Sequence, residues 1–546
     1  MAKKLTGEQI VRRWNTLASK RSTWVNHWQE CADVGLAGNQ SIATQHTKGQ
    51  KNTDTNFDTT AITSNQDMAA GLYSWLFAGR WFFLRCSDMR LNEREDIKSW
   101  MNIATQRLHE AINASNFVTQ IVEHLMYLGI FGTGCLHVSR GQRSLLNFRN
   151  YFIGSFCIEE NSGGVVDTLY RYFSLTARQA VQEFGLENLS ETIRKAYQDT
   201  NKQDNEFYFV HALYPRTDID PDKIDNLNMN FASVYVEYET KHQISESGYH
   251  QMPFLVDRFY KLSGEDFGRS PAMNVLPDIK MASTMNKDNL LAVQKAQNPP
   301  ILMPNDGSAG PAVTRPGGIT YFSPSVSADN RPQTFYTGAD IRSGKEEISE
   351  TRRIIRKAFY GDLFEILDSL SDKGGRTATE ILKRIEEKLL RLTPVSGRMQ
   401  AELGTPLIEL CLNILYEAGQ LPPLPEGVDS YEIEYVSKLS LTLKRLEIQA
   451  MADTLEFISP MAAEHPEIMD NYDLDKIARG VAENNGANPE WIRPIEAVEA
   501  IRLDRAKRAA QQQALEMGSV AADAAQKINQ PVAPGSPLES AIKLAA

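Results

Sequence analysis

The stretch PDIKMASTMNKDNLLAVQKAQNPP, residues 277–300, predicts one long helix with an unusually polar surface. Pro277 stands at its start and a proline pair at its end, as helix boundary chemistry favours. At 1.5 Å per residue, a helix over 278–297 would be about 30 Å long. Its apolar face is weak, because Lys280, Lys287 and Lys295 fall near one side and asparagine and glutamine keep the rest polar. A long helix this polar is typical of one that bridges solvent or packs against other copies of itself.

A second long charged helix is predicted further along the chain, over 340–360. Its acids come first and its bases last, an order that the helix dipole alone can explain. Between the two helices, residues 299–338 are rich in proline, glycine, serine and asparagine, with strand-like pieces at PILMP and GITYF. The pattern predicts two long helices that run in opposite directions and are joined at one end by a compact tip.

The chain before these helices divides into a helical part and an α+β block. Residues 6–35 read as helical from a capping box at Thr6 and Gln9, with tryptophans at helical spacing that we interpret as core. A further apolar helical pattern follows over 56–77. From Cys135 to about Tyr260, short β-branched and aromatic runs alternate with turn signals, and a helical stretch over 176–200 interrupts them.

The segment SDKGGRTATE, residues 371–380, places two adjacent glycines between two basic residues. Thr377 and Glu380 form a capping box, so a firm helix is expected to begin directly after Arg376. A helix is also predicted over 396–418, ended by Gly419, and a strand over 431–437. The last long helix, over 491–528, is rich in alanine and glutamine.

Composition excludes several classes of function. The 546 residues carry a net charge of −11, and a general nucleic-acid binder needs a basic footprint instead. The five cysteines form no C-x-x-C pair, which favours a reducing compartment with inert thiols and no metal site. No signal peptide and no membrane-spanning run is expected. Phosphate-loop, dinucleotide, zinc-protease and serine-hydrolase motifs are missing, so we predict no enzyme and no cofactor.

Five stretches in order resemble the head-to-tail connecting, or portal, proteins of short-tailed phages (podoviruses). They are FDTTAITSNQDMAAGLYSWLFAGRWFFL (57–84), GIFGTGCLHV (129–138), FRNYFIGSFCIEENSGGVVDTLYRYFSLTARQAVQEFG (148–185), FYKLSGEDFGRSPAMNVLPDIKMASTMNKDNLLAVQKAQNPPILM (259–303) and AFYGDLFEILDSLSDKGGRTATEILKRIEEKLLRLTPVSGRMQAEL (358–403). Each stretch alone is weak evidence for this family, but the occurrence of all five in this order, over most of residues 1–420, is specific for it.

The resemblance implies a mainly α chain with an α+β wing, in a portal-type fold that assembles as a ring. The expected parts are a wing (1–271), stem helix 1 (272–298), a clip (299–338), stem helix 2 (339–361), a tunnel loop (362–376), further wing helices and a strand (377–437), a crown (438–490), a C-terminal barrel helix (491–528) and a flexible tail (529–546).

The resemblance also implies a function. A ring, usually a dodecamer, would occupy one capsid vertex of the virion after assembly in the host cytoplasm. Double-stranded DNA would be packaged and ejected through its channel, and the tail would attach to it. The implied partners are the terminase motor, the tail adaptor and tail proteins, and the major capsid and scaffolding proteins. An acidic chain with a few bases per subunit suits such a conduit, because tight neutralisation of phosphate would slow sliding.

Three groups of residues are candidates for the channel lining. In the tunnel loop we expect Lys373 and Arg376 to face DNA, with Gly374 and Gly375 letting the loop shift; the alternative is a solvated turn. Stem candidates are Lys280, Lys287, Lys295, Arg352, Arg353 and Arg356, of which the lysines could instead pair with acids of a neighbouring subunit. Barrel candidates are Arg502, Arg505, Lys507 and Arg508, which could line a barrel or lock neighbouring helices.

Two other functions compete with a portal. A non-viral helical scaffold or adaptor that binds only proteins would explain the polar helices but not the glycine pair between basic residues. An enzyme acting on nucleic acid would need a metal-binding carboxylate motif, and the sequence offers none.

Overall fold

The protein is a mixed α/β chain that is mostly helical. The computed structural model describes residues 5–38, 41–44, 49, 56–88, 90–91, 94–217, 219, 223, 225–302, 313, 319, 333–334, 341–363, 391–427, 430–436, 451–452, 454–462, 464–484, 492–493 and 497–512.

The helices are α1 (Gly7–Lys20), α2 (Ser22–Gly35), α3 (Thr60–Leu76), α4 (Glu95–Asn113), α5 (Phe117–Phe131), α6 (Ala177–Phe184), α7 (Glu191–Gln198), α8 (Pro271–Asn274), α9 (Leu276–Gln297), α10 (Ile341–Ala358), α11 (Thr405–Glu417) and α12 (Leu474–Asn484). Helical residues 391–399 lead through a π-helical turn, Gln400–Gly404, into α11. Residues 454–462 and 497–512 are also helical.

The strands are β1 (Phe82–Cys86), β2 (Thr133–Arg140), β3 (Leu146–Asn150), β4 (Phe156–Glu160), β5 (Val166–Thr176), β6 (Glu206–Pro215), β7 (Phe231–Glu237), β8 (Gln243–Tyr249), β9 (Phe254–Arg258), β10 (Ile301–Leu302), β11 (Gln333–Thr334) and β12 (Tyr431–Tyr435). Their distribution confirms the predicted α+β block.

A five-stranded antiparallel sheet of order β4-β5-β6-β7-β8 forms the centre of that block. Successive strand residues point to opposite faces, so β6 contributes to two cores. Val210 packs with Trp14 and other apolar residues of α1 on one face, and Phe209 packs with Ile193 and others from α6 and α7 on the other. Trp14 and Trp28 are buried, as the sequence predicts.

Two helical predictions are interrupted where tertiary contacts or a glycine intervene. The stretch 6–35 forms two helices, because Arg21 lies between them with its buried guanidinium bonded to the carbonyls of Ile153, Gly154 and Phe156. The capping box at Thr6 is confirmed. The stretch 176–200 also splits, since Gly185 adopts φ +80° between α6 and α7.

A smaller antiparallel sheet, β3-β2-β9, lies beside α5, and β1 pairs with β12 from far along the chain. The strand predicted over 431–437 is confirmed as β12. The helical pattern predicted over 56–77 is confirmed as α3, which ends at Leu76, and its neighbour β1 is a strand that the sequence pattern did not predict.

The chain separates into two compact units. The first comprises Met1–Asp88 and Glu95–Ser440, and the second comprises Met89–Arg94 and Leu441–Ala546. All buried core residues belong to the first unit, and none of the described residues of the second unit is buried. None of the described helices has the length and apolar character to cross a membrane.

Candidate channel-lining helices

Helices α9 and α10 pack against each other as a two-helix hairpin. The short strand after α9 pairs antiparallel with the short strand before α10, as β10 and β11, and Ile301 lies opposite Thr334. The predicted helix over 278–297 is confirmed as α9, and the one over 340–360 as α10, each within a turn. GITYF and most of the predicted clip lie outside the described residues.

The three stem lysines have different surroundings. The Nζ atom of Lys280 lies 2.6 Å from Oε2 of Glu30 on α2 of the same chain. The ammonium of Lys287 lies 5.3 Å from the centre of the Phe57 ring. Lys295 is exposed near the end of α9 and has no ion pair among the described residues. Of the three, Lys295 is therefore the side chain with a charge left for another molecule.

Arg352 of α10 forms an ion pair with a buried carboxylate. Its Nε donates to Oδ2 of Asp58 at 2.7 Å, and that carboxyl is 2% exposed. Asp58 Oδ1 also accepts the Thr60 backbone N–H at 2.8 Å, in the first turn of α3. Arg352 therefore connects the hairpin to α3, a contact that ordinary sequence patterns could not reveal.

Residues 56–58, which precede α3, are held by α9 as well. The Phe57 backbone N–H donates to Ser283 Oγ at 2.9 Å, and Asn286 Nδ2 donates to the Phe57 carbonyl at 2.5 Å. Together with the Arg352 contact, these hydrogen bonds attach both helices of the hairpin to the same short segment. The basic residues that face this segment fix the hairpin to the rest of the first unit.

The other two candidates on α10 are exposed. Arg353 makes a bidentate pair with Glu350 one turn earlier, at 2.6 and 3.0 Å. Such an exposed pair contributes little to stability, because water screens the two charges. Arg356 is exposed without an ion pair among the described residues. Arg356 and Lys295 are therefore two exposed candidates that could meet an external anion.

Replacing Arg352 with alanine is expected to lower the free energy of unfolding by about 1–3 kcal/mol, because it leaves a buried carboxylate without its charged donor. Burial by itself would raise the pKa of Asp58, but hydrogen bonds from Thr60 and the Arg352 contact outweigh it and hold that pKa below its ordinary value. A lowered carboxyl pKa stabilises the fold above the unfolded pKa of about 3.9 and the benefit disappears as the pH falls through the folded value.

Urea denaturation at pH 7 and at acid pH measures this effect, with Arg353→Ala as the matched control on the same helix. The control should leave stability essentially unchanged, because its ion pair is exposed to solvent. A loss for Arg352→Ala that stays constant as the pH falls far below the ordinary Asp pKa of about 3.9 would contradict the role of the Asp58 charge.

The described barrel candidates belong to the second unit. Arg502 lies on the helix 497–512 and bonds through both terminal nitrogens to Asp475 of α12, at 2.5 and 2.7 Å. Arg508 pairs with Asp504 one turn earlier at 2.9 Å. Arg505 and Lys507 are exposed. Arg502 therefore locks two helices of its own chain, whereas Arg505 and Lys507 have no ion pair within the described residues.

The tunnel-loop candidates Lys373, Gly374, Gly375 and Arg376, together with the capping box at Thr377, lie outside the described residues. Their assignment stays a prediction from the sequence.

The described part of the chain offers no group of three or more His, Cys, Asp or Glu side chains that could hold a metal ion. All five cysteines are free and buried. Burial raises the pKa of the Cys31 thiol to about 12 and that of Cys157 to about 11. These thiols stay protonated and unreactive at neutral pH.

Sequence reasoning missed a buried ion pair beside the GIFGTG motif. His124 of α5 lies with Nε2 2.6 Å from Oδ1 of Asp257 on β9, and both side chains are fully buried. Burial would lower the pKa of His124, but Asp257 and Asn150 reverse that and raise it. A Cβ on Gly134 would approach the His124 ring to 2.3 Å, so the motif's glycine makes room for this pair.

Comparison with known proteins finds matches to phage proteins over nearly the whole chain. Residues 7–492 match the family described as "Bacteriophage head to tail connecting protein". A "Probable portal protein" from Bordetella phage BPP-1 is 32% identical over 527 residues, covering 94% of each chain. The "Portal protein" of Salmonella phage epsilon15 is 28% identical over 532 residues, covering 96% of this chain and 95% of the relative. A chain from the "Virion of native gene transfer agent (GTA) particle" aligns with a TM-score of 0.36 at 11% identity, over 78% of this chain and 94% of that one.

These matches define a structural protein of the phage virion rather than an enzyme. The chain belongs to the bacteriophage head-to-tail connecting protein family, the phage portal proteins of the capsid vertex. The resemblance seen in the sequence is thereby confirmed, and the non-viral scaffold is set aside.

Proposed function

We propose that copies of this chain assemble as a ring, a dodecamer on the pattern of its family, whose channel carries double-stranded DNA into and out of the capsid. α9 and α10 serve as the two stem helices, residues 299–338 as the clip, 362–376 as the tunnel loop, 438–490 as the crown and 491–528 as the barrel. The terminase motor, the tail adaptor and tail proteins, and the capsid and scaffolding proteins are the corresponding partners.

The observation that carries this proposal is the apolar surface left open on the hairpin. Met281, Leu290 and Leu291 of α9 and Ile354 of α10 are each more than two-fifths exposed. Because these four side chains are exposed, they do not pack into the core of their own chain. Neighbouring copies in a ring would bury them, with a gain of about 25 cal/mol for each Å² of apolar surface.

The second unit also supports the proposal that several copies of the chain assemble. Its described residues include Phe457, which is 73% exposed, and Met461 one turn further along, yet no buried residue. A folded unit needs buried apolar area to offset the entropy of ordering its chain. Contact with copies of itself would supply that area, as a crown and barrel require.

Replacing Leu290 with glutamate is expected to weaken assembly, because it places a charge where the proposal needs apolar contact between copies. We expect the protein concentration for half assembly to rise at least about tenfold, equivalent to 1.4 kcal/mol per interface. Mass photometry across a dilution series measures it.

Leu262→Glu is the matched control, since both leucines are 51% exposed and Leu262 lies outside the hairpin. The control should assemble as the parent chain does. Equal assembly of the two variants would remove the hairpin from the contact between copies.

A further inference from the structure

Three consecutive residues that begin at the last residue of β9, Arg258–Tyr260, contact described chain before and after residues 364–390, and Lys261 follows them. Tyr260 contacts the last described turn before that segment, and Arg258 contacts the helix that follows it. The two ends of the segment are thus attached to the same short piece of chain. We call Arg258–Lys261 the clasp.

The first contact holds the end of α10. The hydroxyls of Tyr260 and Tyr360 lie 2.7 Å apart, and the rings of Phe259 and Tyr360 are 6.2 Å apart. Tyr360 adopts φ +60°, a left-handed conformation that is rare for a bulky residue and persists only where its surroundings enforce it. The preceding Phe359 is fully buried. The chain is therefore turned sharply and pinned where it leaves α10.

The second contact holds the π-helical turn at the start of α11. The guanidinium of Arg258 makes a two-pronged contact with Glu402, with Nη2 to Oε1 at 2.6 Å and Nε to Oε2 at 3.2 Å. The Arg258 backbone N–H also donates to Oε2 at 2.9 Å. Among the described strands β9 pairs with β2 alone, so this carboxylate also accepts one backbone N–H on the other edge of β9.

The charges around the clasp balance. Glu160, at the end of β4, contacts both Arg258 and Lys261, so two carboxylates meet two cations. The Arg258 side chain is only 2% exposed. An arginine cannot lose its proton, so if Glu402 loses its charge, Arg258 keeps Glu160 as a partner while its attachment to the π-helical turn is weakened.

We propose that Arg258 and Tyr260 are positioning residues for the channel, which fix the two ends of the segment that carries the tunnel-loop candidates. This inference rests on the proposed function. A loop that lines a moving DNA duplex needs ends that hold their separation while the loop itself is displaced. A charge-assisted contact from Arg258 to Glu402 and a hydroxyl contact from Tyr260 to Tyr360 attach the chain on both sides of the segment to one short piece of chain.

The test uses full-length Glu402→Gln, which keeps the side-chain shape and removes the charge from the clasp. Its matched control is Glu246→Gln, because Glu246 pairs with Arg216 at 3.0 Å with side chains 6% and 5% exposed, away from both ends of the segment. Each variant is supplied to a phage whose own copy of the gene is disrupted. Ring yield and the number of DNA-filled particles are counted separately.

We expect Glu402→Gln to form rings within twofold of the parent yield, while DNA-filled particles fall at least tenfold; Glu246→Gln should keep both. Equal packaging by the two variants would overturn the inference, and so would an equal loss by both. Rings lost together with packaging would mean a general brace of the fold instead. Failure of the parent chain itself to form rings would refute the proposed function, a separate result.

If Glu402→Gln does not fold, the double variant Tyr260→Phe with Tyr360→Phe serves the same purpose, because it removes only two hydroxyls and keeps both rings. Intact rings with at least a fivefold loss of DNA-filled particles would support the inference. Parent-level packaging would overturn it.

Discussion

Replacing Gly132 with alanine is expected to lower the free energy of unfolding by about 2–5 kcal/mol, or to prevent folding. Gly132 ends α5 with φ +74°, which costs an alanine about 1–2 kcal/mol. Its Cβ would lie 2.4 Å from the carbonyl carbon of Arg269 and 2.5 Å from the carbonyl oxygen of Gly268, both backbone atoms. Overpacking of this kind adds about 1–3 kcal/mol.

Gly397→Ala provides a control with the opposite sign. Gly397 is exposed in the helical residues 391–399, and nothing lies within 4 Å of an added Cβ. Alanine there should stabilise the fold by about 0.5–1 kcal/mol, because it removes freedom from the unfolded chain. Urea denaturation of both variants checks the pair. A Gly132→Ala protein as stable as the parent would mean that α5 does not end as described.

Deleting residues 371–376 is expected to leave ring assembly intact and to abolish DNA packaging or retention. The deletion removes Lys373, Arg376 and the glycine pair between them, the residues that we propose meet phosphate as the duplex passes. The described contacts between α9 and α10 and the exposed leucines of α9 are untouched. Counting DNA-filled particles beside empty ones measures the effect, and normal packaging by the deletion would refute the role.

Two smaller changes separate charge from backbone freedom in that loop. Lys373→Ala with Arg376→Ala removes the charges and keeps the glycines, whereas Gly374→Ala with Gly375→Ala does the reverse. If phosphate contact matters, the first pair should impair packaging and make it less sensitive to salt. If the loop must shift, the second pair should impair it as well.

Local chemistry made much of the fold predictable. The capping box at Thr6 and the prolines around α9 act within one turn of chain, so their effects are legible in a short window. The strand at 431–435 could be predicted for the same reason, because the alternation of its side chains can be recognised without knowing which strand it pairs with. Features missed in the sequence depend on residues far away. Strand β1 pairs with residues some 350 positions later, and Arg21 interrupts the first helices through bonds to carbonyls more than 130 residues away.

The candidate site was predictable only in outline. The sequence identifies two polar helices and their basic residues, but not which bases are engaged. Arg352 pairs with Asp58, nearly 300 residues earlier in the chain, and Lys280 pairs with Glu30. The clasp shows no pattern at all in the sequence, because Arg258 and Glu402 are 144 residues apart. Such pairs form through tertiary packing, which periodicity and capping rules do not describe.

Negative-stain electron microscopy of the purified full-length protein tests the central claim most directly. The account predicts rings with a central hole, formed by the chain without any partner. Compact monomers at micromolar concentration, with no rings at any salt concentration, would contradict it.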